Sequence, residues 1–259
     1  MRVSDLGQYL LVCHEIDALL LCSTYLAGRQ VLKCKELCLF NVGDETQKLN
    51  ETINTIPNLK ARRYFDKFYL WTPENNDKRR QYVLDRFFEL IANEYESLID
   101  VERNLDNIRN LFWFLDRLMD PLERATVVDY GCATGLSIRL ATKLDIKLIG
   151  FDRCLKMRQI ASGRGMIVWS TGELARQPKG SLDGAFASYV FHLLPNTYGL
   201  RLLWARLKQG GVIVANFHKN QGTEVVGACI HELKGSVQHL RSPIGSERHG
   251  VYVAYRKER

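Results

Sequence analysis

One stretch of the sequence, residues 125–153, constrains the fold more than any other. An apolar run ends in Asp129 and is followed by a glycine turn, Gly131-Cys-Ala-Thr-Gly135. A second apolar run further along the chain ends in another acid, Asp152. A strand, a glycine turn, a helix and a strand in this order predict the first half of a nucleotide-binding βαβ unit, and therefore an α/β fold.

The same stretch predicts a kind of ligand. Glycines let the backbone approach a ligand closely, and the N-terminus of the following helix offers N–H groups. A carboxylate at the end of the second strand, Asp152, can accept both hydroxyls of a ribose. These residues predict a site for an adenosyl compound; a glycine turn that binds no ligand is the alternative.

The departure from the dinucleotide pattern indicates which adenosyl compound is bound. A dinucleotide site reads Gly-x-Gly-x-x-Gly, whereas this chain reads Asp129-Tyr-Gly131-Cys-Ala-Thr-Gly135. This resembles motif I of the class I S-adenosylmethionine-dependent methyltransferases, acid-x-Gly-x-Gly-x-Gly, with Ala133 at the middle glycine. The resemblance implies a Rossmann-like, doubly wound, seven-stranded sheet with an antiparallel last strand, and S-adenosyl-L-methionine as the cofactor.

The resemblance also assigns cofactor-binding residues. Asp152 takes the ribose, Arg153 and Met157 lie along the adenine, and Thr171 stands where the family usually has an acid. The residues of this sequence that match the cofactor site of the family are Asp129, Gly131, Cys132, Ala133, Gly135, Asp152, Arg153, Met157, Thr171, Gly172 and Ser188.

The segment 180–195 resembles motif IV of the family, in which an acid opens the fourth strand and a polar and aromatic cluster closes it. The carboxyl end of that strand lies at the crevice where open α/β sheets bind ligands. If the acceptor must lose a proton, a neutral His suits that task near pH 7. His192 is therefore the first candidate base, with Tyr189 and His218 as alternates, and a structural role for His192 stays open.

Two helices are predicted before motif I, from Asp77 to about Leu98 and from about Val101 to Met119. They resemble the lid helices of small-molecule methyltransferases, in which a phrase like Ile91-Ala-x-x-Tyr95 recurs. Tyr95 and His218 are accordingly predicted to contact the acceptor.

The N-terminal part has no counterpart in that family. Residues 4–26 are predicted to be helical, residues 30–42 are ambiguous between helix and strand, and the whole extension is predicted to be mostly helical. The predicted organisation is an extension of unknown role over 1–76, lid helices over 77–120 and a methyltransferase core over 121–259.

After the fourth strand, a helix is predicted to run to Leu207. The phrase Leu207-Lys-Gln-Gly-Gly211 before an apolar run matches the approach to the fifth strand in the same family. A helix over 223–233 and strands over 236–241 and 250–256 complete the predicted sheet.

The charge distribution and the apolar segments of the sequence restrict the kinds of binding partner that are predicted. Residues 121–259 hold 20 Lys and Arg against 10 Asp and Glu, so this half is strongly basic and could attract RNA. The basic residues are scattered, however, without a run that has interleaved aromatics. No uninterrupted apolar segment reaches the ~18 residues of a membrane span, so no membrane partner is predicted.

The seven cysteines, an odd number without regular close pairing, predict reduced thiols in a cytoplasmic protein. Cys34-x-x-x-Cys38 lacks a zinc-ligand spacing, so no metal is predicted. A homodimer is left open.

Two motifs that are absent from the sequence restrict the class of methyl acceptor. There is no Asn/Asp-Pro-Pro-aromatic tetrapeptide after the fourth strand and no Pro-Cys pair of the cytosine-modifying type. The prediction is methyl transfer to an O or N atom of a small molecule. An RNA- or protein-modifying methyltransferase and a non-catalytic cofactor-binding subunit are the alternatives.

Overall fold

The computed structural model describes residues 9–13, 30–34, 37–41, 59–64, 68–73, 77–119, 122–191, 197–218 and 220–258. The chain divides into two compact units, residues 1–99 and residues 100–259. The boundary falls within the segment that the sequence predicts to hold the lid helices.

The first unit contains a five-stranded sheet. Its strands are β1 Tyr9–Cys13, β2 Gln30–Cys34, β3 Leu37–Asn41, β4 Leu59–Tyr64 and β5 Phe68–Pro73, in the order β2-β3-β1-β5-β4. Strand β1 pairs antiparallel with β3 and parallel with β5. After the sheet come helix α1 Asp77–Ile91, a 3-10 turn Ala92–Glu94 and helix α2 Tyr95–Leu98.

The expectation of a mostly helical extension is wrong for the described part of residues 1–76. A helix was predicted over residues 4–26, but residues 9–13 form a strand. The ambiguous run over 30–42 contains strands β2 and β3. The physical reason is that a short, continuously apolar run such as Tyr9–Cys13 fits a buried strand and a buried helix equally well. Pairing with β3 and β5, which the local sequence does not encode, decides the outcome.

The second unit is built on a seven-stranded sheet in the order β11-β12-β10-β9-β6-β7-β8. Its strands are β6 Thr126–Tyr130, β7 Lys147–Phe151, β8 Ile167–Trp169, β9 Leu182–Ala187, β10 Leu207–Phe217, β11 Gly235–Leu240 and β12 Val251–Lys257. Strand β12 runs antiparallel to both of its neighbours. The predicted doubly wound sheet with an antiparallel last strand is confirmed.

The helices of this unit are α3 Val101–Leu118, α4 Ile138–Ala141, α5 Leu155–Gly163, α6 Thr171–Arg176, α7 Thr197–Arg206 and α8 Asn220–Glu232. The central strands β9 and β10 are buried along most of their length, as expected for a sheet covered on both faces. None of the helices in the ranges that the structure describes has the length and apolar character needed to cross a membrane.

Helix α3 shows how the sheet is covered. Asp100 caps its start, because the carboxylate accepts a hydrogen bond from the Arg103 N–H at 2.9 Å, satisfying one of the unpaired amides of the first turn. The apolar face of the helix packs on the sheet, where Phe112 meets Phe186 edge to face at 4.9 Å. Because this face also carries the polar Asn107, the packing that covers the sheet positions part of the site as well.

The start of the sheet is held by Asp183, the acid of the motif IV resemblance. Its carboxylate accepts hydrogen bonds from the Thr126 N–H at 2.8 Å and from the Lys208 ammonium at 2.5 Å. This carboxylate therefore joins the beginnings of β6, β9 and β10.

Replacement of Phe112 tests the packing of α3. Phe112 is 5% exposed, so Phe112→Ala should lower the free energy of unfolding by ~3–5 kcal/mol through lost burial and the cavity left behind. Urea unfolding measures the change. Asp116→Ala, at an exposed position of the same helix, should stay within ~0.5 kcal/mol of the parent protein; equal losses would contradict this packing.

Candidate functional site

The candidate site lies at the carboxyl ends of the parallel strands. The chain leaves β6 on one side toward β7 and β8 and on the other side toward β9 and β10. In open α/β sheets, ligands bind at such a switch point, outside the carboxyl ends of the strands. The turn after β6, the acid after β7 and the segment after β9 all start from this edge.

The turn after β6 adopts the backbone conformation that its glycines predict. Gly131 and Gly135 have φ values of +82° and +81°, and Ala133 also lies in the left-handed region at +46°. A Cβ atom on Gly131 would lie 2.4 Å from a Val190 methyl carbon, and one on Gly135 would lie 2.9 Å from the Ala161 Cβ. Close approach as well as positive φ therefore requires glycine at both positions.

Asp152 follows β7 and faces the turn. Its Oδ2 accepts a hydrogen bond from the Ala133 N–H at 3.0 Å, and its Oδ1 accepts one from the Cys154 N–H at 2.8 Å. Both oxygens are thus fixed in direction at the place where the sequence predicts a ribose.

Asp129, the acid of motif I, has a different environment. It is 3% exposed and accepts a hydrogen bond from the Ser137 hydroxyl at 2.5 Å. Burial raises the pKa of Asp129 to about 7, the Ser137 hydrogen bond opposes this rise, and the charge of Asp152 adds to it. Asp129 is thus a buried acid, whereas Asp152 is half-buried.

The remaining predicted cofactor residues differ in accessibility. The side chains of Cys132 and Met157 are 5% and 1% exposed, and Cys132 packs against Ala161 and Met166. Arg153 and Gly172 are exposed and Thr171 is half-buried. Thr171 opens α6 directly after the capping residue of that helix, a serine.

A buried polar network lies beside the segment that follows β9. Asn107 and Asn216 are fully buried. The Asn107 amide donates to Ser188 Oγ at 2.8 Å and to Asn216 Oδ1 at 3.0 Å, while its own oxygen accepts from the Tyr252 hydroxyl at 2.8 Å. The Asn216 amide donates to the backbone carbonyl of His249 at 2.9 Å. The network fixes Ser188, predicted to face the cofactor, against α3 and β10.

Tyr189 extends this network. Its φ of +57° is unusual for a residue with a side chain, and its N–H donates to Asn216 Oδ1 at 2.8 Å. The Tyr189 hydroxyl lies 2.5 Å from His249 Nδ1, and His249 Nε2 lies 2.9 Å from Asp106 Oδ2. The His218 ring stacks on the Tyr189 ring with centroids 4.8 Å apart. A tyrosine, a histidine and an aspartate are therefore connected in series.

Arginines surround this series. Arg248 donates to Asp106 Oδ2 at 2.6 Å, and Arg109 lies 3.7 Å from Asp106 Oδ1. Arg103 donates to the Arg248 carbonyl, and its charge acts on the Tyr189 phenol. The hydrogen bonds from Arg248 and His249 lower the pKa of Asp106, whereas burial raises the pKa of Tyr189 and Arg103 opposes that rise. The aspartate is thus ionised and the tyrosine a neutral phenol near pH 7.

The structure brings together one predicted cofactor residue and two of the predicted acceptor or base residues. Ser188, Tyr189 and His218 lie side by side after β9 and β10. His192, the first candidate base, lies outside the described residues. Tyr95 begins α2 in the first unit, where it contacts Phe88 edge to face at 6.4 Å.

Sequence reasoning missed the partners of Tyr189. Asp106 and His249 are separated by 143 positions, so no local pattern joins them. Asn107 is recognisable in the sequence as a polar residue on the apolar face of a predicted helix. Asn216 is recognisable as a polar residue that interrupts an apolar strand.

Comparisons with known proteins agree with this fold. No family model and no curated protein sequence matches the chain. Among solved structures, the 1,6-didemethyltoxoflavin-N1-methyltransferase of Burkholderia thailandensis, solved with 1,6-didemethyltoxoflavin and S-adenosylhomocysteine, is similar, with a TM-score of 0.53 and 14% identity over 73% of this chain and 93% of that one. The second unit therefore has the Rossmann-like fold of the class I methyltransferases.

Two further solved structures have lower TM-scores. A methyltransferase of Thermotoga maritima, described as a possible histamine N-methyltransferase, has 19% identity over 67% of this chain and 99% of that one, with a TM-score of 0.47. An S-adenosylmethionine-dependent methyltransferase of Archaeoglobus fulgidus has 18% identity over 60% and 94%, with a TM-score of 0.45.

The raised pKa of Asp129 predicts a pH dependence of stability. Between about pH 4 and pH 7 the folded protein holds a proton that the unfolded chain has lost. The free energy of unfolding should therefore fall as the pH rises through this window, by up to ~1.4 kcal/mol per pH unit. Asp129→Asn, which stays neutral, should flatten the slope in urea titrations.

The exposed carboxylate of Asp145 supplies the control, since Asp145→Asn should leave the slope unchanged. The lowered pKa values of Asp106 and Glu173 act in the opposite direction at lower pH and are common to all three proteins. An identical slope in Asp129→Asn and the parent protein would show that Asp129 is ionised throughout.

Proposed function

We propose that the chain is an S-adenosylmethionine-dependent methyltransferase that moves a methyl group to an O or N atom of a small-molecule acceptor. The observation that carries the proposal is the pair formed by the left-handed turn at Ala133 and the Asp152 carboxylate, at the switch point of a methyltransferase-type sheet. The turn supplies close backbone approach, and the acid supplies ribose recognition.

The donor and acceptor groups of the site fit this cofactor. Asp152 is half-buried and oriented by two amides, as a ribose acceptor requires. Gly131 and Gly135 let the turn take its left-handed conformation while packed closely against Val190 and Ala161. When bound, S-adenosylmethionine supplies a methyl group on a positively charged sulfur that is already a good leaving group.

For such a reaction the protein has to bind, orient and desolvate the two partners, and alignment alone supplies much of the rate. Asp152 and the turn would hold the donor. Ser188 and Tyr189, at the end of β9, would face the acceptor, with His218 beside them. A base role for His192 stays a prediction.

A small acceptor is supported by the arrangement around Tyr189, where a few fixed polar groups are concentrated at one place. The Burkholderia thailandensis enzyme of similar fold is named for a small heterocyclic acceptor. The competing function, modification of RNA or protein, is favoured by the excess of 10 positive charges in residues 121–259, 20 Lys and Arg against 10 Asp and Glu. The buried thiols of Cys132 and Cys229 fit the reducing, cytoplasmic location that we propose.

Replacement of Asp152 tests the cofactor site. Asp152→Ala removes the proposed charge-assisted hydrogen bonds to the ribose, worth ~1.5–3 kcal/mol each. Calorimetry with S-adenosylhomocysteine should show affinity at least ~10-fold lower. Asp152→Asn, which keeps the shape of the side chain, should also bind weakly. Asp145→Ala, on an exposed loop, is the control; unchanged affinity in both Asp152 variants would remove the ribose role.

The acceptor class is tested by salt dependence. Binding of a charged polymer weakens steeply between ~50 and ~200 mM salt because counterions are released. We expect fluorescence anisotropy to detect no RNA binding with that slope.

We also expect radiolabel from S-adenosylmethionine to enter the small-molecule fraction of a cell extract, whether or not the extract was treated with ribonuclease. A steep slope with label in RNA would favour the competing function.

A further inference from the structure

The contacts of Tyr189, His249 and Asp106 assign the position of one proton. His249 is fully buried, with Nε2 2.9 Å from Asp106 Oδ2 and Nδ1 2.5 Å from the Tyr189 hydroxyl. Asp106 has a lowered pKa and is ionised, so it can only accept. A neutral His249 therefore carries its hydrogen on Nε2 and offers the lone pair of Nδ1 to Tyr189.

A second contact at Nε2 does not change this assignment. Arg248 Nε lies 3.4 Å from His249 Nε2, a long distance for a hydrogen bond. Another nitrogen of the same guanidinium, Nη2, donates to Asp106 at the shorter distance of 2.6 Å. The carboxylate thus orients the ring, as the acid of a serine–histidine–aspartate triad orients its histidine.

We propose that Tyr189, His249 and Asp106 form a proton relay that removes the proton from the hydroxyl of a phenol or enol acceptor. The inference rests on the proposed function and specifies its acceptor. Tyr189 and His249 move the proton, and Asp106 is a positioning residue that acts through His249.

The step balances in protons and electrons. The acceptor O–H bond breaks and its proton passes to Tyr189 Oη, while the proton of Tyr189 passes to His249 Nδ1. His249 becomes an imidazolium beside the ionised Asp106 and, because it is fully buried, later returns the proton through the half-buried Tyr189. The acceptor oxygen forms a bond to the methyl carbon as the carbon–sulfur bond breaks, and that bonding pair stays with the sulfur, which becomes a neutral thioether.

The relay does not require Tyr189 to be a phenolate. Burial raises the pKa of Tyr189, so the free hydroxyl stays protonated near pH 7. A neutral phenol can accept one proton while it donates another, provided that a base is already hydrogen-bonded to it. The 2.5 Å contact with His249 Nδ1 supplies that base.

The surrounding charges favour a hydroxyl over an ammonium acceptor. Helix α3 contributes Arg103, Asp106 and Arg109, and the 3-10 turn Glu247–His249 contributes Arg248. Three arginines thus surround Asp106; Asp100 also interacts with Arg248, and Glu247 belongs to the same 3-10 turn. A cationic acceptor would be repelled here, whereas the negative charge that develops on a phenol oxygen would be stabilised by Arg103 beside Tyr189.

Two features support a role beyond structure. The φ of +57° at Tyr189 is a strained conformation of the kind found at functional sites, and the Asn216 amide holds it. The rings of Tyr189 and His218 stack on each other, inclined by 18°, so an aromatic pair lies at this end of β9 and β10. We expect a planar acceptor to lie beside this pair with its oxygen near Tyr189 Oη.

The experiment compares phenols that do and do not need a base. At about pH 8.5, 4-nitrophenol is largely ionised while 4-methylphenol keeps its proton; the corresponding nitro-substituted and unsubstituted naphthols extend the panel. Transfer of radiolabelled methyl from S-adenosylmethionine gives kcat and KM for each. The full-length proteins are the parent, Tyr189→Phe, His249→Gln and Asp106→Asn.

For the un-ionised phenols, we expect kcat to fall at least ~100-fold in Tyr189→Phe and His249→Gln. For the ionised phenols the same variants should keep kcat within ~5-fold, because no proton has to be removed. Asp106→Asn should behave like His249→Gln, since its amide favours the other tautomer of the ring. Tyr198→Phe changes an exposed tyrosine, 62% accessible. This control should have the kcat of the parent protein with ionised and with un-ionised phenols.

Three results would overturn the relay. Equal losses on ionised and un-ionised phenols would show that Tyr189 has only a structural role. Binding of S-adenosylhomocysteine without methyl transfer to any phenol would exclude the hydroxyl acceptor. Failure of the parent protein to bind S-adenosylhomocysteine would remove the proposed function itself. Because replacement of the buried His249 can unfold the chain, Tyr189→Phe, which removes a single oxygen, decides the outcome.

Discussion

The buried side-chain amide of Asn216 is the interaction on which the acceptor side of the site depends. It lies near the end of β10 and is bonded to Asn107 of α3, to the N–H of Tyr189 and to the carbonyl of His249. Each of these groups would be left unsatisfied in the interior without it, at a cost of ~1–3 kcal/mol apiece. One side chain therefore fixes a helix, a loop and a turn relative to the edge of the sheet.

This arrangement explains why a polar network is tolerated in an otherwise apolar core. Elsewhere the same sheet is covered by contacts such as Phe112 on Phe186, which require only apolar burial. Apolar contacts are not directional, so they would leave the loop after β9 free to adopt other conformations. Hydrogen bonds from Asn107 and Asn216 specify one of them, with Tyr189 at φ +57°. Polar burial here gives a defined position rather than added stability.

Sequence reasoning predicted those parts of the molecule that are encoded locally. The glycines of the turn, the acids at the ends of β6 and β7 and the order of the elements in the second unit follow from short-range patterns. The strand Tyr9–Cys13 was predicted to be helical, because its identity depends on pairing with distant strands. Likewise, Asp106 and His249 meet Tyr189 only through tertiary packing, and neither carries a local signal.

The contact between His249 and Tyr189 has its own backbone requirement. Gly250 follows His249 with φ +83°, and a Cβ atom there would lie 2.1 Å from the Phe217 carbonyl oxygen. Only glycine lets the chain approach the end of β10 this closely and then enter β12. Gly250 thus brings His249 to the end of β10 and also directly precedes the antiparallel last strand. The geometry of the proposed relay and the pairing of β10 with β12 consequently both depend on the close approach of Gly250 to the end of β10.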